Sequence, residues 1–132
     1  MLRAYLARSG RLIAEIDARQ LLLIGDHLAV MRMEKVGVAW IIGNGGSQAN
    51  ASHLVLHLQE QGIRAHDLLA ETAQVTALSN DHDYVKVAMK TLRSLGSPKD
   101  CLIVISGSGD SPNIVLALVE ARRVGMKTFG LL

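Results

Sequence analysis

Two short, unbroken apolar runs, Val38-Ala39-Trp40-Ile41-Ile42 and Cys101-Leu102-Ile103-Val104-Ile105, each end in a loop rich in glycine and serine. Each loop then leads into a stretch of helical character. This succession limits the possible folds more than any other feature of the chain. Four or five apolar residues without polar alternation describe a strand covered on both faces, the usual state of strands in a parallel sheet. Strand, glycine loop, helix and strand, met twice, predict an α/β domain on a parallel sheet.

The other segments fit around that frame. Leu2, Leu6, Leu12, Ile13 and Ile16 recur at helical spacings with an interruption expected near Ser9-Gly10, and Leu21, Leu22, Leu28 and Met31 form a second set. These helices precede any strand and need a surface to cover, either their own domain or another subunit. A helix is expected from Gln48 to Gln61 with Gly62 as its stop, then a weakly patterned strand from Ala65 to Leu69. Residues 73–80 suggest a short helix, and Tyr84 to Leu95 a longer one closed by Gly96-Ser97-Pro98. Ser111 as N-cap and Pro112 at the first helical position open a helix that runs to Val124 and stops at Gly125. Lys127 to Leu132 reads as a last strand, with no following helix to cover it. It is either an edge strand needing little cover or, the reading favoured here, the sign of a truncated chain with its C-terminal part missing.

Composition narrows the function classes. The 132 residues suit one domain, and 49% hydrophobic content with only 3% aromatic implies a core of Leu, Ile, Val and Ala. A net charge of +2 with scattered cations predicts no strong field for nucleic acid, and few rings are available to stack on bases. A single cysteine, Cys101, cannot form an internal disulfide and is expected as a buried strand residue, not a nucleophile. No segment reaches the roughly 20 apolar residues that span a bilayer, and no signal-peptide pattern is present. A cytoplasmic protein without membrane or direct nucleic-acid partners is the expectation.

The loops themselves are Gly43-Asn44-Gly45-Gly46-Ser47 and Ser106-Gly107-Ser108-Gly109-Asp110-Ser111. Both lie at carboxyl ends of strands, where ligands of parallel sheets sit. Glycine permits close backbone approach, and the following helix offers free N–H groups and the positive end of its dipole. The hydroxyls of Ser47, Ser106, Ser108 and Ser111 can donate to phosphate oxygens. One such loop alone is read equally well as a capped turn; two together favour an anionic ligand. Neither loop carries the lysine of a P-loop, and Gln48 occupies the place of the third glycine in G-x-G-x-x-G, although Asp67 lies at a suitable distance for a ribose-binding acid.

In order along the chain, the first loop, Asn50-Ala51-Ser52-His53, Ala77-Leu78-Ser79-Asn80-Asp81, Ile105 to Asn113 through the second loop, and Gly125-Met126-Lys127-Thr128 resemble segments of SIS-domain phosphosugar proteins. The resemblance is closest to the phosphoheptose (sedoheptulose 7-phosphate) isomerase branch, including its replication-initiator-associated relatives, and runs from about residue 36 to the end. It implies a flavodoxin-like αβα sandwich in a single domain over 1–132, with oligomerisation helices at 1–33 and a phosphosugar-binding core at 36–132. It implies a homotetramer or homodimer with sites near subunit interfaces. It assigns Asn44, Gly45, Gly46 and Ser47 to substrate contact, Ser106, Ser108 and Ser111 to a phosphate cradle, and Asn80 and Asp81 to the sugar side. Gly107 replaces the family's usual threonine, which removes a hydroxyl and leaves a backbone N–H.

Isomerisation of a ketose phosphate through an enediol needs a base over carbon and an acid for the oxygens. The branch it resembles uses His-x-x-x-Glu on the helix after the first loop, with glutamate as base and both residues able to bind zinc. This sequence has His53-Leu54-Val55-Leu56-His57, so His57 stands where the glutamate is expected. Four-residue spacing puts both imidazoles on one helix face, where they can share a zinc ion, and an imidazole can serve as base. The alternative is a noncatalytic sugar-phosphate sensor or assembly protein. A C-terminal helix bearing Gln and His, which the resemblance also implies, is not found before Leu132. Glu60 is a poor geometric substitute for the glutamate, and His27, His66 and His82 carry no comparable spacing signal.

Overall fold

The computed structural model describes residues 1–132. Helices α1 (Leu2–Ala14) and α2 (Ala18–Glu34) come first, then strand β1 (Ala39–Ile42), helix α3 (Gly46–Glu60) and strand β2 (Ala65–Asp67). Helix α4 (Thr72–Asp81), a 3-10 turn (Tyr84–Lys86), helix α5 (Val87–Leu95), strand β3 (Cys101–Ile105), helix α6 (Pro112–Val124) and strand β4 (Lys127–Leu131) complete the chain. The four strands are all parallel, in the order β2-β1-β3-β4. That is the flavodoxin-like order, and its direction reverses between β1 and β3.

The continuity of the apolar runs has a direct cause. Trp40 and Ile42 of β1 with Leu102 and Val104 of β3 face one layer, where α5 and α6 contribute Ala88, Leu92, Ile114, Ala117 and Ala121. The alternate residues Ala39, Ile41, Cys101 and Ile103 face the other layer, against Met31 of α2 and Ala51, Val55 and Leu58 of α3. Ile41, Ile42, Leu102 and Ile103 are fully or almost fully buried, each contributing about 1.5–3 kcal/mol of transfer free energy. The layers are thus α2/α3, sheet, α5/α6.

Asp100 fastens the amino-terminal end of the sheet. Its carboxylate accepts from Val38 N (2.8 Å), the Trp40 indole N–H (2.9 Å) and Ser97 N (2.9 Å), joining the entries to β1 and β3. Between α5 and α6, the buried Glu120 carboxylate accepts both guanidinium arms of Arg93 (3.1 and 2.8 Å) and those of Arg123 (2.9 and 2.6 Å). These hydrogen bonds from the two guanidinium groups hold its carboxyl at about 2, well below the usual range.

Several boundaries differ from the sequence reading. Helix α1 passes through Ser9-Gly10 unbroken, with the Ser9 hydroxyl donating back to Tyr5 O (3.1 Å). The break comes instead at Glu15–Asp17, because Asp17 accepts from Arg19 N (2.9 Å) and caps α2. The expected helix over Tyr84–Leu95 is a 3-10 turn followed by α5. Helix α3 begins at Gly46, inside the glycine loop, and not at Gln48. Strand β4 is an edge, yet one face is covered from the other end of the chain. Phe129 packs against His27 of α2 with ring centroids 5.5 Å apart, and Leu131 lies near Ile24. Helix α2 therefore covers its own sheet, whereas α1 buries no residue at all. No helix is long and apolar enough to cross a membrane.

Candidate functional site

The two glycine loops leave the carboxyl ends of β1 and β3, which are neighbours at the point where the strand order reverses. Open parallel sheets bind ligands in that crevice. In the first loop, a Cβ on Gly43 would lie 2.4–2.7 Å from backbone atoms of Ser47 and Gln48, so only glycine lets the loop close on the first turn of α3. Gly45 stands at the N-cap with φ +54°, a left-handed value that glycine adopts without steric cost. The carbonyls of Asn44 and Gly45 accept the first helical N–H groups, while the N–H groups of Gly45 and Gly46 find no backbone acceptor and remain for a ligand.

The second loop turns around Ser106. Its hydroxyl, buried, accepts from Gly109 N (3.1 Å), and its N–H donates to Leu131 O (3.0 Å). Ser111 holds the N-cap position, and its carbonyl accepts from Ile114 and Val115. Its hydroxyl makes no capping bond and lies 3.4 Å from the Ser108 hydroxyl. The Ser108 and Ser111 hydroxyls thus lie side by side at the start of α6, where Pro112 brings no N–H, Ile114 and Val115 bond to Ser111 O, and the Asn113 N–H has no backbone acceptor; this set of donors suits an anion with several acceptor oxygens.

Ser47, Ser106 and Gly107 line one cavity of about 600 Å³. Its other wall comes from the corner between α1 and α2, through Ile16, Asp17, Gln20, Leu21 and Ile24, with Leu131 and Leu132 at the side. One end of the cavity is therefore polar and rich in donors, and the other is mostly apolar.

Internal hydrogen bonds define the first loop further. Gln48 accepts from Gly43 N (3.0 Å) and donates to Asp67 (2.5 Å), whose second oxygen accepts from Ser52 (2.5 Å). Asp67 also accepts from Leu69 N (2.8 Å), so the acid considered for ribose binding is engaged within the protein. Asn44 and Asn113 exchange two amide hydrogen bonds, both 2.9 Å, and Tyr84 OH donates to the Asn44 oxygen (2.8 Å). Burial raises the Tyr84 pKa above its ordinary value.

The remaining sequence-predicted residues sit apart from the cavity wall. Asn80 and Asp81 are exposed at the end of α4 and bond to each other (3.0 Å). His53 and His57 stack on the exposed face of α3 with centroids 4.6 Å apart, and His57 Nδ1 lies 3.2 Å from a Glu60 oxygen. No group of three or more His, Cys, Asp or Glu side chains is placed to hold a metal. Zinc takes three or four protein ligands, so the imidazole pair is an incomplete set. Sequence reasoning gave no role to Asn113, Tyr84 or Gln48, or to the α1–α2 corner. Asn113 at least ends the second motif; Tyr84 carries no local signal.

A serine-bearing glycine loop on each of two adjacent parallel strands, at the reversal of a flavodoxin-like sheet, defines an α/β domain with a candidate anion-binding crevice. The chain belongs to the SIS domain family, which matches residues 4–132. It is 34% identical over 136 aligned positions to the phosphoheptose isomerase of Helicobacter pylori strain P12, covering 98% of this chain and 71% of that protein. With the phosphoheptose isomerase of Nitratidesulfovibrio vulgaris it shares 40% over 95 positions, 67% of this chain and 46% of the relative. Among solved structures it is similar to phosphoheptose isomerase GmhA from Neisseria gonorrhoeae, with TM-score 0.89 and 30% identity, covering 98% of this chain and 71% of the other. A phosphoheptose isomerase from Francisella tularensis superposes with TM-score 0.87 at 25% identity, covering 98% and 72%.

Proposed function

We propose that the chain binds a sugar phosphate of the phosphoheptose class, with the phosphate on the second loop and α6 and the sugar directed toward the first loop. The observation that carries this reading is the convergence of Ser47, Ser106 and Gly107 on one cavity at the β1–β3 reversal point. In the proposal, Ser106, Gly107, Ser108 and Ser111 cradle the phosphate, and Gly45, Gly46 and Ser47 meet the sugar end. Asn80 and Asp81 approach the site only if α4 or a second subunit brings them there. The similarity to phosphoheptose isomerases supports conversion of sedoheptulose 7-phosphate to an aldose phosphate as the reaction. A second reading, a noncatalytic sugar-phosphate sensor, is favoured by a specific observation. His57 stands in the place of a glutamate, points its Nδ1 at Glu60, and is absent from the cavity wall. In the catalytic reading His57 is the base or, with His53, would supply two ligands of a zinc ion completed from outside that pair, and the two roles exclude one another because an imidazole has a single basic lone pair.

The apolar side chains of α1 and α2 support self-association as a dimer or tetramer. Leu2, Leu6, Leu12, Ile13, Leu22 and Leu23 are all exposed in the single chain. Incubation with sedoheptulose 7-phosphate, with and without zinc, separates the two functional readings: aldose phosphate product supports isomerase, and binding without turnover supports the sensor. No binding of any sugar phosphate by the folded protein would sink both. Light scattering tests the oligomer, and a monomer would refute it.

A further inference from the structure

Three segments far apart in sequence carry the residues that the sugar-phosphate reading requires, and they meet at one amide. Asn44 lies in the first glycine loop. Asn113 lies in the first turn of α6, directly after the second loop. Tyr84 opens the 3-10 turn that follows the Asn80-Asp81 segment. The Asn44 oxygen accepts from Asn113 (2.9 Å) and from Tyr84 (2.8 Å), and the Asn44 amide donates to the Asn113 oxygen (2.9 Å). An amide oxygen has two lone pairs, and both are used. Asn113 is only 5% exposed, so water has little room to replace a broken bond.

We infer that Asn44 is the hub of a positioning network, with Asn113 and Tyr84 as positioning residues that set the spacing between the two glycine loops. The inference rests on the sugar-phosphate reading and sharpens it. With both oxygen lone pairs engaged, the Asn44 side chain can give a ligand one N–H and no acceptor, so acceptors for sugar hydroxyls must come from other groups. The backbone before Tyr84 agrees with a directed contact. Asp83 has φ +132°, a conformation that side-chain-bearing residues rarely adopt and that persists where surrounding contacts fix it. The Tyr84–Asn44 bond is one such contact. A phosphate alone needs only the second loop, whereas a sugar phosphate spans both, so the network matters for the second ligand and not for the first.

Tyr84→Phe removes one hydrogen bond from a side chain that is 42% exposed and leaves the packing intact. Calorimetric titration with sedoheptulose 7-phosphate should give affinity about three- to tenfold weaker than wild type, because loop order that the bond supplies in the free protein must then be restored on binding. Inorganic phosphate, followed by NMR titration, should bind the variant as it binds wild type, while loss of the bond lowers the thermal midpoint by about 2–5 °C. Asn113→Ala, which removes both amide bonds, should weaken the sugar phosphate further; if it fails to fold, Tyr84→Phe decides. Equal affinity of folded Tyr84→Phe and wild type for the sugar phosphate would overturn the inference. So would a parallel loss for both ligands, because the network would then support the second loop alone. A wild-type protein that binds no sugar phosphate overturns the functional reading itself, and this inference with it.

Discussion

Asp100→Asn replaces a buried carboxylate by a group of the same shape with half its accepting capacity. The wild-type side chain is 4% exposed and satisfies three donors: the backbone N–H groups of Val38 and Ser97 and the Trp40 indole. In the best orientation of the asparagine, its oxygen keeps the Trp40 and Ser97 donors while its NH2 group faces Val38 N–H. Two donors are then left without acceptors, and the two retained bonds lose their charge assistance, for a cost of about 3 kcal/mol. With an unfolding entropy of about 2.1 cal/mol/K per residue, each kcal/mol lowers the midpoint of a chain this size by about 3.6 °C, so the expected fall is about 11 °C. Thermal unfolding followed by fluorescence of Trp40, the single tryptophan, reads the change directly. A fall below about 4 °C would refute the reasoning, since it would mean that other groups or water take over the lost acceptor.

Gly43→Ala is expected to abolish sugar-phosphate binding, because the added Cβ falls within 2.4–2.7 Å of the α3 backbone; unchanged affinity by calorimetry would contradict that account of the loop. Ser111→Ala should leave the thermal midpoint within about 2 °C, well short of the usual loss for an N-cap serine, because the hydroxyl makes no cap bond, while affinity for the sugar phosphate falls several-fold. The Glu120 carboxyl, held at about 2 in the folded chain against an ordinary 4.5, stabilises the fold fully above the ordinary value and loses that contribution as pH falls toward 2. Accordingly, Glu120→Gln should melt below wild type at pH 7, and the gap should close near pH 2. Cys101 is fully buried, with its thiol pushed up to about 12 chiefly by desolvation, so a thiol reagent should label it in urea and not in the native protein.

The parts of the fold legible in the sequence were those written locally. Strands β1 and β3 announce themselves because both faces are buried and every residue is apolar, and the glycine loops because their closure needs residues without a Cβ. Strand β2 is only three residues long, Ala65–Asp67, too short for a pattern, and it was expected to extend to Leu69. At the N-terminus, Gly10 looked like a breaker, yet a single glycine in an exposed helix costs only about 1 kcal/mol, whereas Asp17 brings a cap that ends one helix and starts the next. The cover of β4 by α2, and the Asn44–Asn113–Tyr84 contacts, join residues 40 to about 100 positions apart and leave no periodic trace. In the candidate site, sequence located the two glycine loops; the apolar wall from the α1–α2 corner arises only when α2 docks beside β4.

That corner has a thermodynamic consequence. Leu21 and Ile24 of α2 line the candidate cavity, while Leu22, Leu23 and Val30 of the same helix are exposed. If a second copy seats on the outer side of α2 and either event shifts that helix, association and ligand binding are linked. Protein concentration then becomes an effector of ligand affinity, and ligand changes the association constant by the same factor.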